Sequence, residues 1–98
     1  MPYTLLVGLD ISNSATYAEY RAAMSPILAR HGGDFAYDFV VAETLRSATA
    51  EPINRMFTIV FPDEATKDRF FSDAEYEEAK QRYFEASVAA TTLLGVVV

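Results

Sequence analysis

The hydrophobic pattern opens with a strand. Along residues 3–10, YTLLVGLD, apolar residues alternate so that Leu5, Val7 and Leu9 share one side of an extended chain. After the segment ISNS the spacing becomes helical. The apolar stripe then consists of Tyr17, Tyr20, Met24, Ile27 and Leu28. The pattern therefore predicts a strand followed by a helix.

Polar residues and glycines mark the ends of that helix. Asn13 or Thr16 can cap its start, and Glu19 would complete a capping box with Thr16. Gly32-Gly33 ends it, because glycine accepts the left-handed conformation that commonly follows a helix.

The middle of the chain predicts two more strands. In DFAYDFVVAETL, starting at Asp34, one side of a long strand would carry Phe35, Tyr37, Phe39 and Val41. A polar connector, RSATAEP, separates this strand from residues 53–61, INRMFTIVF. Helical spacing returns after Pro62, with Asp63 as the N-cap, and a break near Ser72-Asp73 precedes a second helical segment to about Glu85. The tail VAATTLLGVVV predicts a last strand.

The order of elements is thus β-α-β-β-α-β over one domain, residues 1–98. Right-handed crossovers place both helices on the same side of one antiparallel sheet. The expected fold class is α+β with a ferredoxin-like arrangement.

The side of the sheet without helices is expected to be apolar. Strand one places Leu6 there, and strand three places Met56 and Val60 opposite Phe57, Ile59 and Phe61. The tail carries Leu93, Leu94, Val96 and Val97, so that its strand is apolar on both sides. An exposed apolar face of that size is typical of an association surface. A second copy packed sheet against sheet would cover it, which predicts a homodimer.

Composition narrows the classes of function. Hydrophobic residues make up 51% of the chain, cysteine is absent, and the formal net charge is −6. The lack of cysteine excludes disulfides and thiolate nucleophiles, and the negative charge argues against nucleic-acid binding. No basic leader and no apolar run of about 20 residues is present, so we expect a cytoplasmic protein without a membrane partner.

The stretch SDAEYEEAKQR, residues 72–82, has two interpretations. Its five carboxylates, serine and tyrosine could form a reactive site. Alternatively, Ser72 and Glu75 form a capping box and Tyr76 begins a buried stripe on an amphipathic helix. The helical interpretation explains most of it and leaves the Tyr76 hydroxyl, which needs either a cavity oxygen or a backbone carbonyl as its partner.

Arg55 is a candidate ligand-binding residue because it alternates in phase with the apolar residues of strand three. If that side faces the helices, the guanidinium lies at the rim of an apolar cavity and could bind a carboxylate or enolate oxygen. If it faces a partner, Arg55 belongs to the dimer interface. A simple ion pair with Glu43 is the third possibility.

Three further residues are candidates. His31, the only histidine, could be a general base or a haem ligand, or it could interact with the last carbonyls of its helix. Asp38 could be a base with a raised pKa, or an edge-strand charge. Tyr17, with the other aromatic residues, could line a ligand cavity or belong to the core. One histidine, no cysteine and no D-x-D-x-D-G loop or H-x-x-x-H pair indicate no metal site.

Four segments carry a family resemblance: YAEY at 17–20, RHGG at 30–33, NRMFTIVFPD at 54–63 and SDAEYEEAKQR at 72–82. In this order and spacing they resemble the small bacterial proteins of the thirteen-thirty domain-of-unknown-function family, in the dimeric α+β barrel superfamily. The family usually has proline where this chain has Asp73, and often Asp-Pro where it has Asn13-Ser14.

The resemblance implies a ferredoxin-like subunit and a dimer, and it implies no particular reaction. The wider superfamily includes cofactor-free monooxygenases, lactone isomerases, haem-degrading enzymes and peroxidases, so the fold alone does not transfer a chemistry.

The sequence therefore predicts a homodimer that binds a small, largely apolar ligand between sheet and helices, without a cofactor. The candidate ligand-binding residues are Arg55, Tyr76, His31, Tyr17 and Asp38. The alternative is a cofactor-independent oxygenase or isomerase in which Arg55 polarises an enolate and His31 or a tyrosine moves the proton.

Overall fold

The computed structural model describes residues 1–97 and contains four strands and a set of helices. The elements are β1 (Tyr3–Ile11), α1 (Ser14–Arg30), β2 (Asp34–Val40), β3 (Arg55–Phe61), α2 (Glu64–Phe71), α3 (Ala74–Ala79), one π-helical turn (Lys80–Phe84), α4 (Glu85–Ser87) and β4 (Val88–Val97). Within these residues no helix combines the length and apolar composition needed to cross a bilayer.

The strands form one sheet in the order β2-β3-β1-β4, and every neighbouring pair is antiparallel. This confirms the predicted α+β arrangement. The helices cover one side of the sheet, here called the helix side, and the other is called the open side.

The core lies on the helix side. Leu5, Val7 and Leu9 of β1 are buried there beside Phe57, Ile59 and Phe61 of β3. The helices contribute Tyr17, Tyr20, Met24, Ile27, Leu28, Phe70 and Tyr76 to the same buried cluster. The alternation in β1 and β3 thus places one apolar set of each strand under the helices, as the period of a strand requires.

Carboxylate and amide caps fix the helix starts. The Asn13 side chain accepts a hydrogen bond from Thr16 N, and Asp63 accepts one from Thr66 N. The predicted Ser72–Glu75 capping box is wrong. Asp73 caps α3 instead, accepting from Glu75 N at 2.8 Å, because a carboxylate is a stronger acceptor than a hydroxyl and is favoured at the positive end of a helix. Ser72 ends α2, where its Oγ donates to Asp68 O.

The second helical segment is interrupted after Ala79. One π-helical turn, Lys80–Phe84, holds an extra residue before α4. It changes the direction of the side chains that follow, and Tyr83 and Phe84 are both half-buried against the core. The regular helical spacing predicted to about Glu85 therefore does not continue to the end of the segment.

Strand β2 differs from its prediction in length and in phase. It ends at Val40, and residues 41–54 form a long connection. A bulge between Phe35 and Tyr37 shifts the register against β3, so Phe35 pairs with Ile59 on the helix side and Tyr37 pairs with Thr58 on the open side. The expectation that Phe35, Tyr37, Phe39 and Val41 share one side is wrong, because one extra residue reverses every later side chain.

The connection 41–54 covers one end of the open side. A Cβ on Gly8 would lie 2.9 Å from Ile53 Cδ1, so the glycine makes room for the Ile53 side chain. A groove of about 570 Å³ separates the connection from the sheet at Met56 and Leu94. No other segment of residues 1–97 covers the rest of the open side, and Tyr37 and Phe39 are 63% and 50% exposed there.

Candidate functional site

A cavity of about 340 Å³ lies between the sheet and the helices and is here called the sheet–helix cavity. Its floor is apolar and includes Val7, Leu9 and Ile59. Its other lining residues are Leu5, Tyr20, Phe57, Phe71, Tyr76, Lys80, Phe84, Thr91 and Leu93. Leu93 is largely exposed while the floor is buried, so the cavity opens between the π-helical turn and β4. Its size and lining suit a small apolar molecule.

Two of the lining residues, Tyr20 and Tyr76, are tyrosines whose hydroxyls are hydrogen-bonded to each other. The Tyr20 and Tyr76 oxygens are 3.0 Å apart, with the residues themselves buried. Burial raises the pKa of both hydroxyls, so both stay protonated at neutral pH. One hydroxyl donates to the other, and no further partner of either oxygen lies within residues 1–97. The Tyr76 partner is thus a hydroxyl rather than the backbone carbonyl considered above.

A charged cluster, made of Arg21, Asp38, Arg55 and Tyr17, lies beside the cavity. The Arg55 Nε and Nη2 atoms donate to the two Asp38 oxygens at 2.8 and 2.9 Å. Arg21 donates to the same carboxylate at 3.1 and 3.3 Å, and its Nε donates to the Tyr17 hydroxyl at 2.7 Å. Three of these residues, Tyr17, Asp38 and Arg55, are candidates from the sequence. The β2 bulge brings them together because it turns Asp38 to the helix side.

Aromatic rings hold Arg21 in place. Its guanidinium carbon lies 3.9 Å from the Phe35 ring centroid and 4.8 Å from that of Phe57. Such stacking favours arginine over lysine, because the planar guanidinium lies flat on a ring face. Since Phe57 also lines the sheet–helix cavity, the charged cluster and the cavity share a wall.

The charged cluster decides the protonation of Asp38. The hydrogen bond from Arg55, opposed by partial burial and helped by Arg21, holds the pKa of the carboxyl below its usual range. This direction is opposite to the raised pKa that a base in a cavity would need. Arg55 pairs with Asp38 rather than with Glu43, and it does not line the sheet–helix cavity.

The free energy of unfolding at acidic pH should depend on the ion pair between Asp38 and Arg55. An aspartate with a lowered folded pKa stabilises the fold above its unfolded pKa, about 3.9, and loses that contribution as the pH falls through the folded value. We expect Asp38→Asn to lower the free energy of unfolding at pH 7 by about 1 kcal/mol, since the pair is partly exposed. The variant should also show a smaller loss of stability than the wild type below about pH 4.

Urea unfolding at a series of pH values measures both effects. Asp34→Asn is the matched control, because Asp34 is exposed on the same strand and, within residues 1–97, has no cationic group within 4.0 Å. Equal pH dependence of Asp38→Asn and the wild type would contradict the prediction.

His31 lies apart from the cavity. It caps the end of α1, its Nε2 is 2.9 Å from Asp73 Oδ2, and its ring meets the edge of Phe70. This pair joins the end of α1 to the start of α3 and lowers the pKa of Asp73. His31 does not line the sheet–helix cavity. Its position therefore favours the interpretation that it interacts with the end of its helix.

Sequence reasoning missed Arg21 and Lys80. Arg21 lies four residues after Tyr17 on α1, and that spacing was the available signal for a shared helix face. Lys80 lies four residues after Tyr76, and both residues line the cavity. Within residues 1–97, no group of three or more histidine, aspartate or glutamate side chains could hold a metal ion.

Comparison with known proteins assigns the chain to a family. The model of a domain of unknown function, DUF1330, matches residues 3–97. The chain belongs to the DUF1330 family. No functionally curated protein matches this DUF1330 chain significantly.

Solved structures share the ferredoxin-like fold. A protein of unknown function from Rhodopseudomonas palustris has a TM-score of 0.84 at 20% identity, covering 98% of this chain and 80% of that one. SnoaB, a cofactor-independent oxygenase from Streptomyces nogalater, has a TM-score of 0.67 at 15% identity, covering 99% and 91%. A dimeric ferredoxin-like protein of unknown function from Bacteroides fragilis has a TM-score of 0.63 at 10% identity, covering 98% and 94%. At these identities the similarity establishes the fold alone.

Proposed function

We propose that this DUF1330 protein is a homodimer that binds a small, largely apolar ligand in the sheet–helix cavity. The observation that carries the binding proposal is the cavity itself, about 340 Å³ of space with an apolar floor and a buried pair of tyrosine hydroxyls. A core packed only for stability leaves few voids larger than a water molecule.

The open side of the sheet supports the homodimer. Tyr37 and Phe39 are exposed there beside half-buried Leu6, Met56 and Val60. Exposed aromatic residues on a continuous apolar surface are typical of protein interfaces. The similar Bacteroides fragilis protein is described as dimeric, which agrees with a sheet-to-sheet pairing of two copies.

The candidate residues take different parts in this proposal. Tyr76 contacts the ligand from inside the cavity. Arg55, Tyr17 and Asp38 support the wall that Phe57 shares with the charged cluster, and Asp38 keeps the Arg55 donors occupied. His31 holds two helix ends together and makes no ligand contact.

The alternative function is a cofactor-independent oxygenase or isomerase. The tyrosine pair favours it, because a protonated hydroxyl in a dry site can donate to an oxygen that gains negative charge. The fold of SnoaB supports the same alternative. Arg55 does not serve as its enolate-polarising group here, since Asp38 accepts from it through two hydrogen bonds. Oxygen uptake or isomer formation by the bound ligand would separate turnover from binding.

Binding of the uncharged dye phenylnaphthylamine tests the cavity. We expect saturable fluorescence enhancement with the wild type and at least about tenfold weaker binding by Leu93→Trp, because the larger indole fills the cavity mouth. Val40→Trp is the matched control, since Val40 is exposed on the helix side of the opposite edge strand and outside the cavity.

The dye is excited directly, and both variants introduce a single tryptophan into a chain that has none. Absence of saturable binding by the wild type, or equal binding by both variants, would contradict the cavity as the binding site.

A further inference from the structure

We propose that the ligand of the sheet–helix cavity is an amphipathic carboxylate, whose single anionic group binds Lys80 while its apolar body lies on the sheet. This inference rests on the proposed binding function and names the class of ligand. It follows from three features of the cavity wall: an unpaired lysine, the π-helical turn that carries it, and the absence of any lining carboxylate.

Lys80 is the one charged residue among those lining the cavity in the described part of the chain. It is half-buried, and within residues 1–97 no carboxylate oxygen lies within 4.0 Å of its Nζ. The other lysine, Lys67, is paired with Asp68 at 2.7 Å. An unpaired ammonium beside an apolar cavity is available to a ligand carboxylate, which would accept a charge-assisted hydrogen bond from it.

The π-helical turn begins at Lys80 and ends at Phe84. Such turns disrupt regular helical hydrogen bonding and occur frequently at functional sites. Here the same turn supplies the charge and an apolar wall, because both residues line the cavity and the Phe84 ring lies 5.0 Å from that of Tyr20. The first and last residues of one turn therefore provide both halves of an amphipathic binding site.

The remaining polar lining groups are neutral hydroxyls, Tyr20, Tyr76 and Thr91. With one cation and no carboxylate, the lining favours an anion over a neutral or cationic molecule of the same shape. The whole chain carries a net charge of −6, which attracts cations at long range. A preference for an anionic ligand would consequently have to arise locally, from Lys80.

Competition against bound phenylnaphthylamine tests this assignment with decanoate, decanol and decylammonium at pH 8. We expect the wild type to bind decanoate more tightly than decylammonium, against the sign of its net charge. The ratio of decanoate to decanol affinity should fall about tenfold in Lys80→Met, because the variant retains the apolar stem and loses the cation. Lys80→Arg and Lys67→Met should keep the wild-type ratio.

Taking a ratio to decanol removes the contribution of the apolar chain. An unchanged ratio in Lys80→Met, or wild-type affinity for decylammonium equal to that for decanoate, would overturn the role of Lys80 and leave ligand binding intact. If neither the dye nor decanol binds the wild type, the proposed function fails as well. Should Lys80→Met not fold, judged by circular dichroism, the comparison of decanoate with decylammonium on the wild type decides.

Discussion

Phe39→Asp is expected to convert the proposed homodimer into monomers, raising its dissociation constant by at least about 100-fold. Phe39 is half exposed on the open side of the sheet, next to Tyr37 on the same side. In a sheet-to-sheet dimer its ring would be buried. An aspartate at that position would lose an apolar contact and place an unpaired charge in the interface, each of which costs free energy of association.

Val40→Asp is the control for this prediction. Val40 follows Phe39 directly on the same edge strand, is 78% exposed, and points to the helix side. Both variants introduce the same charge at adjacent positions, so they differ only in the side of the sheet that receives it. Light scattering after size-exclusion chromatography at micromolar concentrations gives the mass. A monomeric wild type, or equal dissociation of both variants, would contradict the proposed interface.

Phe70→Ala is expected to lower the free energy of unfolding by about 3–5 kcal/mol. The Phe70 side chain is fully buried, and its ring centroid lies 4.4 Å from that of Tyr76, 5.0 Å from that of Phe71 and 5.7 Å from that of Phe61. Removing it leaves a closed void where α2, α3 and the sheet meet. The surrounding aromatic rings are rigid and can fill that void only in part.

Phe71→Ala is the matched comparison and should cost less. Phe71 is half-buried and already borders the sheet–helix cavity, so its loss enlarges an existing space rather than creating a closed one. Urea unfolding of both variants at one protein concentration measures the difference, since the stability of the proposed dimer would depend on concentration. Equal costs for the two substitutions would contradict the distinction between closed core and cavity wall.

The fold could be predicted from the sequence because local and global patterns agree in most elements. Two-residue alternation marks β1 and β3, and the stripe from Tyr17 to Leu28 marks α1. Strand β2 is the exception. Its apolar and polar residues alternate as regularly as those of β1 and β3, and no residue near Ala36 indicates a bulge. The register of β2 depends on its pairing with β3 and cannot be read from β2 alone.

The candidate site was less predictable, since it depends on contacts between distant residues. Arg55, Asp38 and Tyr17 were each recognisable as unusual, yet their meeting requires the reversed phase of β2. Tyr76 was recognised through its hydroxyl, whereas its partner Tyr20 lies 56 residues away in sequence. Residues 80–84, KQRYF, have ordinary helix-forming character, so the π-helical turn has no local sequence signal.

The β2 bulge should make this strand more tolerant of losing a residue than of gaining one. Ala36 is the extra residue, so its loss would leave a regular ladder in which Tyr37 still pairs with Thr58 and Asp38 with Phe57. A residue inserted after Tyr37 would instead move the following side chains to the other side of the sheet, with Asp38 on the open side and Phe39 under the helices. The proposed interface and the charged cluster therefore depend on the same register of one strand.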